Sequence, residues 1–387
     1  MDSTWWVNPK QLDDDQKKVI AAPLNESQLV LGPPGSGKSN LLLLRANYIQ
    51  RAGQPNSEIL VFTKQLQDFM RHGSANYSFP FTKIKTSIAW SIELLREYDC
   101  LPELSDDFQE KRIQLSQALS SLIEARRLSN LYEYILLDET QDYLPAEIDC
   151  FLTLARFIFA VGDSNQQIYS GSNGLTYLTG KISATFQLRH HYRNGLQICR
   201  LADGIAKQTE DYIDLTSTSN YDEKATPSSV DELKCKCNDD MFGLVEKGID
   251  LQLKAYPNEL IGILTPRNEE LGLISEYIKG TRFYSNGQVQ LRGETDGIID
   301  KARPIVVSTI HSAKGLEFRA LHLCFLENVK NFPKQRNICY TGVTRAKTAL
   351  YIYHSGGLPG YMEQAITNLG RPPSLPSIDE VFGREEN

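Results

Sequence analysis

The stretch GPPGSGKS, from Gly32 to Ser39, constrains the fold more than any other part of the sequence. It has the spacing Gly-x-x-x-x-Gly-Lys-Ser, follows the apolar run QLVL and precedes the helical pattern NLLLLRANYI. A strand, a glycine-rich turn and a helix in this order let backbone N–H groups converge on phosphate oxygens. A plain Gly-Pro turn into a helix would not require a lysine and a serine at these positions. The residues predicted to surround the phosphates are Gly32, Gly35, Ser36, Gly37, Lys38 and Ser39.

Short apolar runs alternate with helical patterns along the chain, which predicts buried parallel strands in an α/β fold. The helical pattern with the clearest spacing runs from Ile113 to Ile123. The polar stretch 210–240 is interpreted as a loop-rich excursion of a second domain. The predicted strands lie within residues 28–31, 58–63, 134–139, 157–163, 260–266 and 304–310.

Composition limits the class of protein. A chain of 387 residues is long enough for two domains. Its formal charge of −7 disfavours a protein that coats nucleic acid by bulk electrostatics, although a local basic groove remains compatible with it. The seven cysteines include no CxxC pair, which disfavours structural zinc and a disulfide framework. No apolar run is long enough to span a bilayer and the first residues do not resemble a secretory signal, so we expect no membrane partner and a cytoplasmic location.

The stretch LLDETQDYLP places acidic residues directly after an apolar run. Downstream of a phosphate loop, Asp138 can hold Mg²⁺ together with Ser39, while Glu139 can orient and deprotonate an attacking water. The alternative is that this stretch only caps the helix expected to begin near Leu144. The sequence therefore predicts ATP and Mg²⁺ as cofactors, with Lys38 supplying charge to the terminal phosphates.

A series of further stretches, between about residue 12 and residue 354, resembles superfamily 1 helicases of the UvrD/Rep/PcrA type. The resemblance implies two RecA-like P-loop NTPase domains whose parallel sheets are flanked by helices. It is carried by LDDDQKKVI, ILVFTKQLQDFM, KTSIAW, LLDETQD, VGDSNQQIY, LRHHYRN, VVSTIHSAKGLEF and CYTGVTRAKTALYI.

The resemblance assigns roles at the nucleotide. It implies that Gln16 and Tyr192 contact the adenine and that Gly315 and Glu317 contribute to the nucleotide site. Three further residues are expected to stabilise the charge of the transferred phosphoryl group. An arginine that reaches across a domain cleft can have this effect. For a single arginine, the alternative is a surface ion pair. These three residues are Gln166, Arg193 and Arg345.

The resemblance also assigns residues to nucleic acid. An aromatic ring can stack on a base, and threonine hydroxyls suit phosphate contacts. The alternatives are a core aromatic at a strand end and ordinary strand threonines. The residues predicted to contact the nucleic acid are Phe62, Thr63, Thr86, Thr309 and His311.

The sequence departs from the family pattern in three places. Asn40 stands where relatives often have an arginine beside the adenine, and Gly171 and Ser172 replace an aromatic and a basic residue, which removes a base-stacking wedge. The accessory regions are short. We predict a first domain over 1–185 with a small helical insertion near 91–133, and a second domain over 186–387 in which only 281–303 stands in for a large insertion.

Together these observations predict an ATP-dependent translocase or helicase on single-stranded DNA. The resemblance of VVSTIHSAKGLEF and CYTGVTRAKTALYI to the family implies 3′→5′ polarity. Such a reduced motor is expected to separate duplexes poorly without a partner, such as a separate nuclease or accessory subunit in DNA repair or antiviral (anti-phage) defence. The alternative is an ATP-operated switch or scaffold that does not translocate. A motor on RNA stays open, since a preference for the 2′-hydroxyl leaves no mark in the sequence.

Overall fold

The computed structural model describes residues 11–75, 77–169, 171–206, 212–290, 300, 302–332 and 334–370. Within them, two six-stranded sheets organise the chain, and every pair of neighbouring strands is parallel. Helices flank both sheets, so the prediction of two parallel sheets flanked by helices is confirmed.

The first sheet has the strand order β3-β2-β4-β5-β1-β6. Four adjacent strands of this sheet, β2, β4, β5 and β1, are nearly continuous apolar runs because both of their faces are covered. Ligands of open α/β sheets bind outside the carboxyl ends of the strands. The strands are β1 Gln28–Leu31, β2 Ser57–Val61, β3 Ile84–Thr86, β4 Tyr132–Leu137, β5 Ala155–Gly162 and β6 Ala184–Gln187.

The second sheet has the order β7-β12-β11-β8-β10-β9. Its edge strand β7 lies inside the stretch interpreted as loop-rich, so that interpretation is wrong for Ser229–Lys234. The reason is that polar and charged residues dominate β7, whose sequence is SVDELK, and that it is largely exposed, which hides it from a search for apolar runs. The strands are β7 Ser229–Lys234, β8 Ile261–Thr265, β9 Gly287–Gln290, β10 Ile305–Thr309, β11 Phe318–Cys324 and β12 Ala346–His354.

Helices cover both faces of each sheet and connect the strands. The helix predicted at Ile113 to Ile123 is confirmed as the central part of α5. In the first domain the helices are α1 Asp14–Ala21, α2 Lys38–Arg51, α3 Lys64–Ser74, α4 Ser87–Glu97, α5 Phe108–Arg126, α6 Pro145–Leu154 and α7 Gly174–Thr179. Those that follow are α8 Leu196–Ile205, α9 Leu215–Thr218, α10 Asn238–Ala255, α11 Asn268–Lys279, α12 Gln335–Val343 and α13 Gly360–Leu369.

The predicted domain limits need two comments. The boundary between 185 and 186 falls inside β6, which pairs with β1, so we propose a boundary after Gln187. Part of the 281–303 segment is β9, a strand of the second sheet, while 291–299 and 301 lie outside the described residues. The predicted insertion at 91–133 contains most of α4 and all of α5. Its equivalence to an accessory domain stays a prediction.

Separate apolar cores stabilise the two halves. Leu60, Leu137 and Ile158 belong to the core on one face of the first sheet, and Val30, Val61 and Leu136 belong to the core on the other. The second sheet likewise has a core on each face. Burial of this kind contributes roughly 25 cal/mol per Å² of apolar surface. Among the described residues, no helix combines the length and the apolar character needed to cross a membrane.

Candidate active site

A cleft of about 530 Å³ is lined by loops from both sheets. The first domain supplies the phosphate loop after β1, the acidic loop after β4 and the turn after β5. Because β4, β5 and β1 are neighbours in the sheet, these three loops meet at one edge. Of the predicted site residues, the cleft lining includes Gln16, Gly35, Ser36, Gly37, Lys38, Ser39, Asp138, Glu139, Gln166, Tyr192, Arg193, Gly315, Glu317 and Arg345.

The phosphate loop has the backbone conformation that its glycines allow. Gly35 and Gly37 have φ of 74° and 83°, and a Cβ atom at Gly35 would lie 2.5 Å from the Cβ of Arg193. No side chain caps the N-terminus of α2, which leaves its N–H groups facing the cleft. Lys38 Nζ donates to the carbonyl oxygens of Gly32 and Pro33 at 2.7 and 2.8 Å. This loop fits an anionic polyphosphate.

Lys38 lies half-buried among carboxylates. Burial lowers its pKa, while the negative charges of Asp163, Glu139 and Asp138 oppose that shift. Gly32 and Ser36 support the loop from inside: Gly32 N donates to the Gly162 carbonyl at 3.2 Å, and Ser36 Oγ donates to the Pro33 carbonyl at 2.8 Å. These two residues shape the loop.

Ser39 and Asp138 meet as the sequence predicts. Ser39 Oγ donates to Asp138 Oδ2 at 2.6 Å. Burial and the adjacent Glu139 charge raise the pKa of Asp138 to about 6, although Ser39 and the backbone N–H of Glu139 donate to its carboxylate. A hydroxyl and a carboxylate oxygen are ligands suited to Mg²⁺, which prefers oxygen. The pair therefore fits a magnesium site that nucleotide phosphates would complete.

Glu139 is held in an unusual backbone conformation. Its φ is 50°, which is uncommon for a residue with a side chain and requires surrounding contacts to maintain it. Its Oε2 accepts from Gln141 Nε2 at 2.5 Å and lies 3.5 Å from Lys314 Nζ. Burial raises the pKa of Glu139, but Lys314, Arg345 and Lys38 outweigh burial and hold that pKa below its ordinary value. An ionised carboxylate suits a general base. The acidic pair does not cap α6, whose first turn uses Glu147 instead.

Lys314 links the two sheets and was not singled out from the sequence. It follows β10 and is only 1% exposed, yet its Nζ pairs with the Asp142 carboxylate and donates to the Gln166 carbonyl at 2.7 Å. Burial raises the pKa of Asp142 to about 6, against the opposing charge of Lys314. A buried lysine of the second domain therefore neutralises the acidic loop of the first.

Both predicted arginines reach the cleft from the second domain. Arg345 is buried, donates to Gln166 Oε1 at 2.9 Å and is held by the carbonyls of Leu316 and Thr341. Burial and the neighbouring Arg193 lower the pKa of Arg345 to about 10, so it stays charged at neutral pH. The alternative of a surface ion pair is therefore wrong for Arg345.

Arg193 pairs with Glu317 through one guanidinium nitrogen. Its Nε and Nη1, like Gln166 Nε2, are buried without a hydrogen-bond partner among the described residues. Buried donors of this kind cost free energy unless a ligand satisfies them. Three unsatisfied donors in a cleft with a phosphate loop fit the oxygens of a terminal phosphate.

The predicted adenine contacts lie at the mouth of the cleft. Tyr192 is 44% exposed and its hydroxyl donates to Asp13 Oδ2 at 2.7 Å. Gln16 lines the cleft, but its Nε2 donates to the Ser36 carbonyl and its Oε1 accepts from Asp13 N. Gln16 therefore also supports the phosphate loop. Gly315 has a φ of 91° and lies against Leu66 of α3.

The structure contradicts the interpretation of Phe62 as a surface residue that stacks on a base. Phe62 is 6% exposed, its ring centroid lies 5.6 Å from that of Tyr143 and 5.9 Å from that of Phe108, and Arg112 packs over its face. The sequence could not distinguish the two alternatives, because an aromatic residue at a strand end suits either. In this conformation Phe62 is a core residue.

The three predicted threonines use their hydroxyls within the protein, and the hydroxyl of Thr63 also donates to the carbonyl oxygen of Lys314 at 3.5 Å. Thr63 and Thr86 accept from the backbones of Leu66 and Ala89 at 3.2 Å and cap α3 and α4, while the Thr309 hydroxyl donates to Ser312 at 3.0 Å. A contact with nucleic acid stays a prediction for each. His311 lies in a ring cluster, with centroids 5.6 Å from both Tyr169 and Phe332.

The departures at single residues have local consequences. Asn40 is buried, and its Oδ1 accepts from the Tyr77 hydroxyl at 3.5 Å. Gly171 has a φ of 73°, a conformation that an aromatic wedge would not adopt readily. An aromatic residue at position 171 would therefore require a different backbone conformation.

Sequence reasoning missed several residues that bind the site together. Asp142 lies within LLDETQD and Lys314 within VVSTIHSAKGLEF. An acidic or basic residue within a largely buried segment is uncommon, so each of these residues could have been recognised from the sequence as a candidate for a buried ion pair. Arg112 and Glu147 carried no such signal, because their partners are distant in sequence. The residues missed were Arg112, Gln141, Asp142, Glu147, Asp163 and Lys314.

Two family models match the chain, one in each half. The UvrD/REP helicase N-terminal domain matches residues 92–174, which carry the acidic loop and Gln166. The UvrD-like helicase C-terminal domain matches residues 304–353, which carry Lys314 and Arg345. Each half of the chain thus contains a stretch similar to a domain of the UvrD/Rep-like helicases.

The individual proteins to which the chain is similar are distant from it in sequence. It is 26% identical over 275 residues to a probable DNA helicase of Mycoplasma pneumoniae, a match that covers 64% of this chain and 48% of that protein. It is 37% identical over 81 residues to a mitochondrial ATP-dependent DNA helicase of Saccharomyces cerevisiae, covering 20% and 10%. A solved PRRSV helicase is 16% identical with a TM-score of 0.45, covering 88% and 54%. The chain spans at most about half the length of these curated relatives.

Proposed function

We propose that this chain is an ATP-dependent motor that moves along single-stranded DNA. The observation that carries the proposal is that one cleft combines the phosphate loop of the first domain with two arginines of the second, Arg193 and Arg345. A nucleotide held there would contact both domains. Its hydrolysis would therefore change the interdomain contacts, which is what a translocating motor requires.

Each residue has a defined part in the proposed chemistry. Ser39 and Asp138 would hold Mg²⁺, which supplies Lewis-acid stabilisation of the phosphates. Glu139 accepts the proton of the attacking water, because neighbouring cations keep it ionised. Lys38, Gln166, Arg193 and Arg345 bind the phosphates and stabilise the transferred charge. Tyr192, Gln16, Gly315 and Glu317 orient the nucleoside.

The proposed strand site lies beside this cleft. His311 lies two residues after the end of β10, and Lys314, three residues further along the same loop, contacts the acidic loop of the first domain. A nucleic-acid strand bound at His311 would therefore lie only three positions in the sequence from Lys314. Thr63, Thr86 and Thr309 are further candidates for the strand path. The proposed polarity of movement is 3′→5′.

Translocation is tested by displacement of streptavidin from biotinylated oligonucleotides. With ATP and Mg²⁺, we expect streptavidin to leave an oligonucleotide labelled at its 5′ end faster than one labelled at its 3′ end, because a 3′→5′ motor runs towards the 5′ end. A Lys38→Ala variant should displace neither. Equal, ATP-independent release from both ends would contradict a motor, and faster release from matched RNA would make RNA its track.

Strand separation is expected to be weak in the isolated chain. Gly171 and Ser172 leave no aromatic wedge at their positions, so a separate nuclease or accessory subunit would supply it in DNA repair or in antiviral defence. Rapid unwinding of a tailed duplex by the chain alone would contradict this part of the proposal. The cytoplasmic location stays a prediction.

A further inference from the structure

The helical segment between β3 and β4 reaches the acidic loop through one buried side chain. Arg112 of α5 is 1% exposed, and its Nη2 donates to the carbonyl oxygen of Asp142 at 2.8 Å. Its Nη2 and Nε also donate to the two carboxylate oxygens of Glu147, at 2.5 and 3.2 Å. Glu147 in turn accepts from the backbone N–H of Leu144 at 2.7 Å. Arg112 therefore fastens α5 to the segment that joins β4 to α6.

Asp142 is consequently held from two directions. Its carbonyl accepts from Arg112 in the helical segment, and its carboxylate pairs with Lys314 of the second domain. Lys314 Nζ lies 3.5 Å from Glu139 Oε2. A shift of Asp142 would therefore displace the cation that stands beside the proposed base.

The backbone transmits the same constraint. The N–H of Asp142 donates to the carbonyl of Glu139 at 2.9 Å and closes the turn in which Glu139 has its positive φ. A residue with a side chain keeps this conformation only where its surroundings impose it. The group that fixes Asp142 therefore also fixes the direction of the Glu139 side chain.

The arginine is itself rigidly placed. Its guanidinium carbon lies 4.8 Å from the ring centroid of Phe62 and 5.8 Å from that of Phe108. A planar fork can bind Glu147 with two nitrogens and still reach the Asp142 carbonyl, whereas a lysine at this position offers one nitrogen. Arg112 thus combines restricted freedom with several directed hydrogen bonds.

We propose that Arg112 is a positioning residue for ATP hydrolysis: it fixes Asp142, and through the Asp142–Lys314 pair it orients Glu139. This inference rests on the proposed ATPase function. In this proposal, the helical segment between β3 and β4 contributes to catalysis and is more than a shortened accessory region. A purely structural role would instead lower stability without a specific effect on turnover.

The test compares ATP hydrolysis by the full-length wild type and Arg112→Lys, each with single-stranded DNA, alone and combined with Asp142→Asn. We expect Arg112→Lys to lower kcat about 10- to 50-fold, since small displacements of catalytic groups have effects of this size. The KM for ATP should stay within about threefold. In the Asp142→Asn background, Arg112→Lys should lower kcat by a smaller factor than in the wild type, because the link through the Asp142 carboxylate is lost and only the backbone link to Glu139 remains.

Two matched variants separate positioning from stability. Arg45→Lys alters another buried arginine, which donates to the carbonyls of Ile20, Ala22 and Pro23, and it should lower the melting temperature without an effect on kcat beyond about threefold. Glu147→Gln leaves the bond from Arg112 to the Asp142 carbonyl in place and should keep kcat within about fivefold of the wild type. It also serves as the folded comparison if Arg112→Lys is unstable.

The outcomes are distinguishable. A wild type that hydrolyses no ATP overturns the proposed function, and the inference with it. An active wild type overturns the inference alone in three cases: Arg112→Lys keeps more than half of kcat, its effect is undiminished beside Asp142→Asn, or Glu147→Gln loses as much kcat as Arg112→Lys.

Discussion

The nucleotide side of the cleft and its strand side differ in how their residues are used. On the nucleotide side, Lys38, Asp138 and Glu139 are ionisable, buried or half-buried, and line one cleft. On the strand side, Phe62 is part of a core and Thr63 caps a helix. Buried charges have few structural uses, whereas hydroxyls and aromatic rings have many. The charged residues of a catalytic site can therefore be predicted from sequence more readily than the residues of a nucleic-acid-binding surface.

The largest expected effect tests the nucleotide side at Arg345. Arg345→Gln removes the charge proposed to stabilise the transferred phosphoryl group and should lower kcat about 10³-fold or more, with little change in ATP binding. Steady-state hydrolysis with single-stranded DNA measures it. Arg156→Gln, at an exposed arginine 3.7 Å from Glu133, is the control and should stay near wild type. Equal rates in the two variants would contradict the role of Arg345.

The next effect tests whether the two halves are joined by a buried ion pair. Lys314→Met leaves Asp142 buried without its cation and should lower the free energy of unfolding by about 3–5 kcal/mol. Urea denaturation measures this free energy. Adding Asp142→Asn removes the uncompensated charge and should restore most of the loss. If the double variant is no more stable than Lys314→Met, the pair does not explain the stability of the interface.

A third prediction sharpens the contrast on the strand side. His311→Ala should weaken binding of a single-stranded oligonucleotide by about 1–3 kcal/mol, the usual contribution of a stacked ring. Phe62→Leu should leave that affinity within twofold and lower the free energy of unfolding by about 1 kcal/mol, because Phe62 packs in the core. Fluorescence anisotropy and urea denaturation are the measurements. A greater loss of affinity from Phe62→Leu than from His311→Ala would reverse the assignment.

The smallest effect concerns the pH dependence of stability. Burial raises the pKa of Asp138 to about 6, so in the folded chain this group is mostly neutral at pH 5 and mostly ionised at pH 7. Because the folded chain favours the neutral carboxyl, this group stabilises the folded chain at low pH, and the stabilisation is lost as the pH rises through about 6.

Asp138→Asn removes that titration. The melting temperature of the variant minus that of the wild type, both without nucleotide, should be about 1 °C higher at pH 7 than at pH 5, which corresponds to about 1 kcal/mol. Differential scanning calorimetry at the two pH values measures this difference. An identical difference at both pH values would show that Asp138 does not titrate in this range.

The fold was largely predictable from the sequence because its central strands are apolar on both faces. β1, β8 and β10 stand out as runs of that kind, and α5 has clear helical spacing. The strands that the search for apolar runs missed are β3, β6, β7, β9, β11 and β12. The edge strand β7 was missed because polar and charged residues dominate it and most of it is exposed. Edge strands lack the double burial that makes a run apolar.

The site was predictable to the extent that it depends on residues close together in the sequence. Lys38 and Ser39 are fixed by one loop, and Asp138 follows one strand, so local patterns identify them. The contact of Arg112 with Asp142 joins residues 30 positions apart, and Lys314 reaches Asp142 across 172 positions. Such contacts depend on the topology of both sheets, which no local pattern encodes.

The most direct test of the central claim is ATP hydrolysis by the purified chain, with and without single-stranded DNA, beside Glu139→Gln. The account predicts hydrolysis that rises strongly with DNA in the wild type and falls at least about 10²-fold in the variant, while the variant still binds ATP. Hydrolysis that ignores DNA, or a Glu139→Gln variant as active as the wild type, would contradict a motor that uses Glu139 as its base.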